Sequence, residues 1–199
     1  YGGVIVDNRQ CNPGNWNNHG SIAEFRGQWY VFYHRSTHSC KKMRKACVEP
    51  ISFTPEGHIP EVPMTTQGAL PPLPARDTLS AARACLLFGD VRVVQSGHSA
   101  EVLSNFGNGD KAAFKYIRFD EGLKRATIHL KQGKKGGQIR LRLDQPWHQE
   151  IARFDLPEGH PGWHTLSVDL SSPAAGERAL WLLVYGADAV EAIDWVVFE

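Results

Sequence analysis

Residues 71–74 read Pro-Pro-Leu-Pro, three prolines in four positions, a density of missing N–H donors that resists both helix and central strand. Together with Gly68 they mark a stiff linker that divides the chain into two units. Neither unit shows a convincing helical period. Upstream, residues 21–25 and 28–34 are short aromatic and aliphatic runs joined through Arg26-Gly27, a hairpin signal. Residues 46–53 make a third strand interrupted by Pro50. The turn Thr54-Pro55-Glu56-Gly57 then leads to a fourth extended piece, 58–64, whose Pro60 and Pro63 suit an edge. Such a four-stranded meander is propeller-blade-like and takes up residues 1–73. One blade cannot close a ring, so its faces need cover from missing chain, a partner or the second unit.

Downstream, residues 125–130 and Gly137–Leu143 alternate with the period of a strand. Ile139, Leu141 and Leu143 face one way, Arg140 and Arg142 the other. Residues 79–88, 112–119, 150–156, 164–170, 178–186 and 192–198 add further strands, with turn signals between them. Roughly eight or nine strands predict a jelly-roll β-sandwich over 76–199. Residues 180–185 are apolar at nearly every position, which predicts a central strand covered on both faces. The expected fold class is all-β, a four-stranded blade-like meander followed by a jelly-roll sandwich.

Charge narrows the function classes. Lys+Arg of 22 against Asp+Glu of 21 leaves no excess to attract nucleic acid or an anionic membrane, and neither is expected as a partner. No apolar run reaches the roughly 20 residues that span a bilayer. The chain begins at Tyr1 with no basic n-region or apolar h-region, so any export signal is expected to lie ahead of it. Cys11, Cys40, Cys47 and Cys85 show no C-x-x-C spacing. They read either as reduced, half-buried thiols or as disulfides of an exported protein, with Cys40–Cys47 one pairing to consider. The order of His34, His38, Cys40 and Cys47 matches no usual zinc pairing.

The aromatic residues divide by context. Trp29 and Tyr33 share one strand face, Tyr30 and Phe32 the other, and core packing is expected of them. Trp181 and Trp195 lie in apolar strands and also read as core. Trp147 follows Gln145-Pro146 and Trp163 follows His160-Pro161-Gly162, loop positions where an exposed indole can stack on the C–H face of a sugar. Asn105, Asn108, His148, Arg140 and Arg142 are candidate partners for sugar hydroxyls.

Several motifs recur in a familiar order. Tyr1-Gly2-Gly3, the Asn17-Asn18-His19-Gly20 turn, the strand 28–34, Cys47-Val48-Glu49-Pro50 and Ile59-Pro60-Glu61-Val62-Pro63-Met64-Thr65 resemble the last blade of glycoside hydrolase family 43. From Arg76 onward, Asn108-Gly109-Asp110, Gly137–Leu143, Gly162-Trp163 and Ile193-Asp194-Trp195-Val196-Val197-Phe198 are similar to carbohydrate-binding module family 6. The resemblance implies the carbohydrate-binding C-terminal portion of a secreted or periplasmic glycosidase, with a xylan- or arabinan-type saccharide as partner. Family 43 enzymes invert the anomeric centre with a base and an acid roughly 6.5–9.5 Å apart. The family carries these acids in its first three blades, so no catalytic residue is expected here. Asp7, Glu24, Glu49, Glu56 and Glu61 read as solvated or hydrogen-bonded carboxylates.

The same resemblance sets His19 at the propeller axis beside a calcium ion, for which one imidazole is a minor ligand. In the binding module it seats the sugar between aromatic positions that fall at Asn105 or Phe106 and at Trp163 or Leu166, with an asparagine position near Ala192. The expected sugar-binding set is therefore Trp163, Trp147, Asn105 and His148. The acidic pair of the module's structural calcium site reads Leu79-Ser80-Ala81-Ala82, which leaves Asp194 alone. Three other readings stand beside this one: a glycosidase completed by the missing propeller blades on another chain, an autonomous sugar-binding module, and a non-binding structural sandwich.

Overall fold

A computed structural model describes residues 2–7, 18–37, 40–96 and 101–199, with residues 36, 37 and 40–43 as backbone alone. Strands β1 (Ser21–Phe25) and β2 (Gln28–Thr37) form the expected hairpin. Arg26 (φ 53°) and Gly27 (φ 81°) both take the left-handed conformation that a two-residue turn matched to strand twist requires. Strand β3 (Cys40–Ile51) pairs with the other edge of β2. The fourth extended piece joins no ladder, so this sheet has three strands rather than four. Pro60 and Pro63 remove the donors a ladder needs, and Val62 instead donates its N–H to the Ile5 carbonyl at 2.8 Å.

The second unit contains β4 (Leu73–Pro74), β5 (Leu79–Ser80), a 3₁₀ turn (Ala81–Arg83), β6 (Leu86–Phe88), β7 (Arg92–Val94), β8 (Val102–Ser104), β9 (Lys111–Phe119), β10 (Arg125–Gln132), β11 (Gly137–Leu143), β12 (Glu150–Leu156), β13 (Gly162–Asp169), β14 (Gly176–Tyr185) and β15 (Val190–Phe198). One sheet runs β13-β10-β15-β8-β7, with β5 on β15; the other runs β12-β11-β14-β9-β4, with β6 on β9. The strand expected over 79–88 is broken. Its first piece belongs to one sheet and its second to the other, and buried Ala81, Ala82 and Ala84 make the corner. Leu73 and Pro74, read as linker, pair in parallel with the edge of β9, a position that tolerates proline.

Between the sheets lie Phe114, Phe119, Phe154 and Phe198 with Ile117, Ile128, Ile139, Leu141 and Leu143, all essentially inaccessible. A second cluster sits outside the sandwich, where Tyr33 and Met64 of the first unit pack on Leu86, Ala113, Trp181 and Leu183. This explains the unbroken apolar run of β14: Leu180, Leu182 and Val184 face the inner core, and Trp181 and Leu183 face the docked blade. Polar groups secure the same contact. Buried Arg35 donates from Nη1 to the Cys85 carbonyl at 3.1 Å. A register shift in the β9–β14 pairing leaves backbone groups at Lys115 and Tyr116 free to bond elsewhere. Thr66 and the Gln67 side chain take them: Lys115 N–H donates to Thr66 Oγ1 and Tyr116 N–H to Gln67 Oε1.

Core packing therefore holds only in part: Val31 and Tyr33 are buried, Tyr33 against the sandwich, whereas Trp29 on the same face and Phe32 on the reverse face are exposed. The suggested Cys40–Cys47 bridge is absent, since Cys47 is a free thiol. Both residues lie on β3, seven positions apart, which at about 3.3 Å per residue is far beyond disulfide reach. Of the four residues in the weighed zinc order, His38 lies outside the described residues, and His34 and Cys47 occupy opposite strand faces (opposite Ala46 and Tyr33, respectively). No helix among the described residues is long and apolar enough to cross a membrane.

Candidate functional site

At one end of the sandwich the β7–β8, β10–β11 and β14–β15 connections border a cleft of about 820 Å³. Trp163 forms one wall. It starts the edge strand β13, opposite Lys131 of β10, and remains 44% exposed. One face of its indole rests on the His129 ring (centroids 5.0 Å apart), which in turn rests on Trp195 (5.4 Å). His129 Nδ1 lies 3.2 Å from Asp194 Oδ2, so the middle ring of the column is held in place. Trp195, read as core, is instead half-buried on this outer sheet face, and Asp194 is committed to His129 rather than left to a cation.

Asn105 lines the same cleft at the end of β8, in a left-handed conformation (φ 62°) that asparagine accepts more readily than other side chains. The neighbouring Phe106 is buried, so no second exposed ring faces Trp163 from that position. Ala192 also lines the cleft. The remaining rim is charged: Lys131 contacts Glu191 at 2.5 Å and Lys135 contacts Asp188 at 3.6 Å, beside Lys134. An indole face, an amide and two lysine–carboxylate pairs suit stacking on a sugar ring and hydrogen bonding to its hydroxyls. Sequence reasoning missed Lys131 and Glu191. The outward positions of β10 (Thr127, His129, Lys131) were legible in its alternation, but not the cleft toward which they lead.

The other nominated residues lie elsewhere. Trp147 and His148 occupy the β11–β12 turn beside the opposite sheet. Asn108 accepts the Gly186 N–H and ties two loops together. Arg140 lies over the Tyr185 ring, and Arg142 pairs with Glu150 at 3.2 Å. His19 is on the blade, its N–H donating to His34 Nε2 at 3.3 Å. Burial, with Arg44 and His19 nearby, pushes the His34 imidazole below its usual range. Among the described residues no three His, Cys, Asp or Glu side chains converge as metal ligands.

Glu49 is the one carboxylate of the first unit drawn into the interior. Burial pushes its carboxyl above the usual range, while the Thr65 N–H, the Thr65 hydroxyl and the Tyr33 hydroxyl pull it down. Those three groups occupy both oxygens at 2.7–3.1 Å, a structural arrangement rather than that of a proton donor awaiting substrate.

No protein-family model matches the chain. It is 30% identical over 206 residues to a xylosidase/arabinosidase of Thermoclostridium stercorarium, an alignment covering 80% of this chain and 43% of that protein. The chain thus spans less than half the length of the curated relative it matches. In structure it resembles a glycoside hydrolase family 43 arabinoxylan arabinofuranohydrolase of Bacillus subtilis, solved with cellotetraose (TM-score 0.63, 20% identity, 98% of this chain and 43% of that one). It also resembles the family 6 module CsCBM6-3 of Clostridium stercorarium, solved with cellobiose (TM-score 0.58, 17% identity, 65% of this chain and 97% of that one). In sequence and fold the chain corresponds to the C-terminal part of a family 43 glycoside hydrolase, a last-blade segment followed by a β-sandwich like those of carbohydrate-binding module family 6.

Proposed function

We propose that this chain is the carbohydrate-binding C-terminal portion of a secreted or periplasmic glycosidase acting on xylan- or arabinan-type polysaccharide, and that it contributes no catalytic acid. The observation that carries the reading is the convergence of an exposed, braced Trp163 and Asn105 on one polar-rimmed cleft. Calorimetric titration with xylo- and arabino-oligosaccharides tests it. Saturable binding is expected, weakened about tenfold or more in Trp163→Ala, since one lost stacking face is worth about 1.4 kcal/mol. Absence of binding, or binding indifferent to Trp163→Ala, overturns the cleft. Release of the aryl alcohol from an aryl arabinofuranoside or xyloside by the purified chain overturns the non-catalytic reading.

Calcium at His19 belongs to the same proposal, with its oxygen ligands supplied from outside the described residues. His19 sits on the blade and the cleft on the sandwich. A chelator is therefore expected to leave oligosaccharide affinity within twofold, read by the same titration with and without it.

A further inference from the structure

The chain has four cysteines and two methionines, and three of these sulfur-bearing side chains line one cavity of about 320 Å³ where the blade segment meets the sandwich. They arrive from separate stretches of chain. Cys47 lies on β3 opposite Tyr33 of β2, Met64 follows in the extended piece beyond β3, and Cys85 leads into β6. Tyr33, Met64 and Cys85 pack in one buried cluster, with Cys47 half-buried against it. Both cysteines are reduced. Each thiol donates a weak bond to a backbone carbonyl, Cys47 Sγ to Lys45 at 3.6 Å and Cys85 Sγ to Ala113 at 3.4 Å. The Ala113 carbonyl also accepts the Cys85 N–H at 2.8 Å, so it keeps a partner when the thiol proton is lost.

The donor set selects the class of ligand. Glu49, the carboxylate in the cavity wall, is held by Thr65 and Tyr33, which leaves metal binding to sulfur. Two thiols and a thioether are soft donors, the kind that favour copper(I). A structural zinc takes four nitrogen or sulfur ligands and calcium takes oxygens, so neither suits this set. Binding a monovalent ion through two thiolates releases two protons and leaves one net negative charge. Arg35, buried in the same wall, is placed to balance it: burial pushes both thiols above their usual range, and Arg35 pulls each of them back. Half-buried Cys47 gives the ion its way in. We propose that this cavity is a soft-metal site that takes one copper(I)-class ion between Cys47 and Cys85, with Met64 as third ligand, and that the ion links the blade segment to the sandwich. The site is independent of saccharide binding.

Silver(I) is the probe, because it binds the same donors and needs no reductant. The parent protein carries Cys11→Ser and Cys40→Ser, so that only the two thiols of the cavity remain. It is reduced with a phosphine, which is then removed in the absence of air. Native mass spectrometry and equilibrium dialysis in chloride-free buffer are expected to show one ion per chain, retained against an excess of free methionine. Cys47→Ser and Cys85→Ala are each expected to weaken binding about a hundredfold or more, and Met64→Leu, a swap that conserves volume, about tenfold. One equivalent of silver is expected to raise the unfolding temperature of the parent protein and to leave that of Cys47→Ser unchanged. Should Cys85→Ala fail to fold, Cys47→Ser at a half-buried position and Met64→Leu decide the matter. No retained ion, an ion held as tightly after Cys47→Ser and Met64→Leu, or an unfolding temperature indifferent to silver overturns the proposal.

Discussion

Phe198→Ala is expected to lower the unfolding free energy by about 4 kcal/mol, the upper part of the range for emptying a phenylalanine site in a packed core. Phe198 is fully buried in β15, and its ring meets that of Phe119, of β9, edge-on at 5.1 Å and 77°. The two strands belong to different sheets, so the pair joins the layers of the sandwich at their centre. Truncation removes the transfer energy of the ring and leaves a void that two sheets, each fixed by its own ladder, cannot close. Phe198→Leu keeps most of the volume and is expected to cost about 1–1.5 kcal/mol. Urea titration followed by tryptophan fluorescence reads both. A loss below about 1 kcal/mol for the alanine variant would mean that the layers collapse around the void and that this ring pair does not govern their packing.

How much of this arrangement is legible in the sequence depends on how much of it is local. The strands Gly137–Leu143 and Glu150–Leu156 end where their alternation and turn residues say they should, because period and turn chemistry are properties of neighbouring residues. Strands β7 and β8 were missed: three residues each are too short to show a period, and their burial comes from partners far along the chain. The corner at Ala81–Arg83 was read as part of one strand, since nothing local says that the chain changes sheets there.

The candidate sites divide in the same way. A tryptophan beside turn residues can be found in sequence, and Trp147 and Trp163 were, although Trp163, read as a loop residue, lies in the edge strand β13. That they lie on opposite sheets, one braced by His129 and the other on the β11–β12 turn, follows from pairings between strands distant in sequence. Only the fold separates a presumed single set of sugar ligands into two places.

Glu49 gives the sharpest view of how the blade is held. Glu49→Ala is expected to destabilise the protein by about 3 kcal/mol, because the Thr65 N–H, the Thr65 hydroxyl and the Tyr33 hydroxyl would each lose an acceptor at a buried contact, at roughly 1 kcal/mol apiece. Glu49→Gln is expected to behave differently. Its carbonyl oxygen can still accept from Tyr33 and the Thr65 amide, and its amide can donate to Thr65 Oγ1. The carboxyl of Glu49 is raised above its usual range, chiefly by burial, so the folded protein holds this proton to higher pH than the unfolded chain does. The resulting stabilisation is complete below the unfolded value, about 4.3, and is lost as pH rises through the folded value. The amide mimics the protonated acid at every pH and has no such dependence. Stability of Glu49→Gln relative to wild type is therefore expected to improve between about pH 4 and pH 7, other titrations cancelling in the difference. Urea midpoints of the two proteins across that interval measure it. A difference that stays constant would mean that Glu49 ionises in the folded protein as easily as in the unfolded chain, and that its burial carries no electrostatic cost.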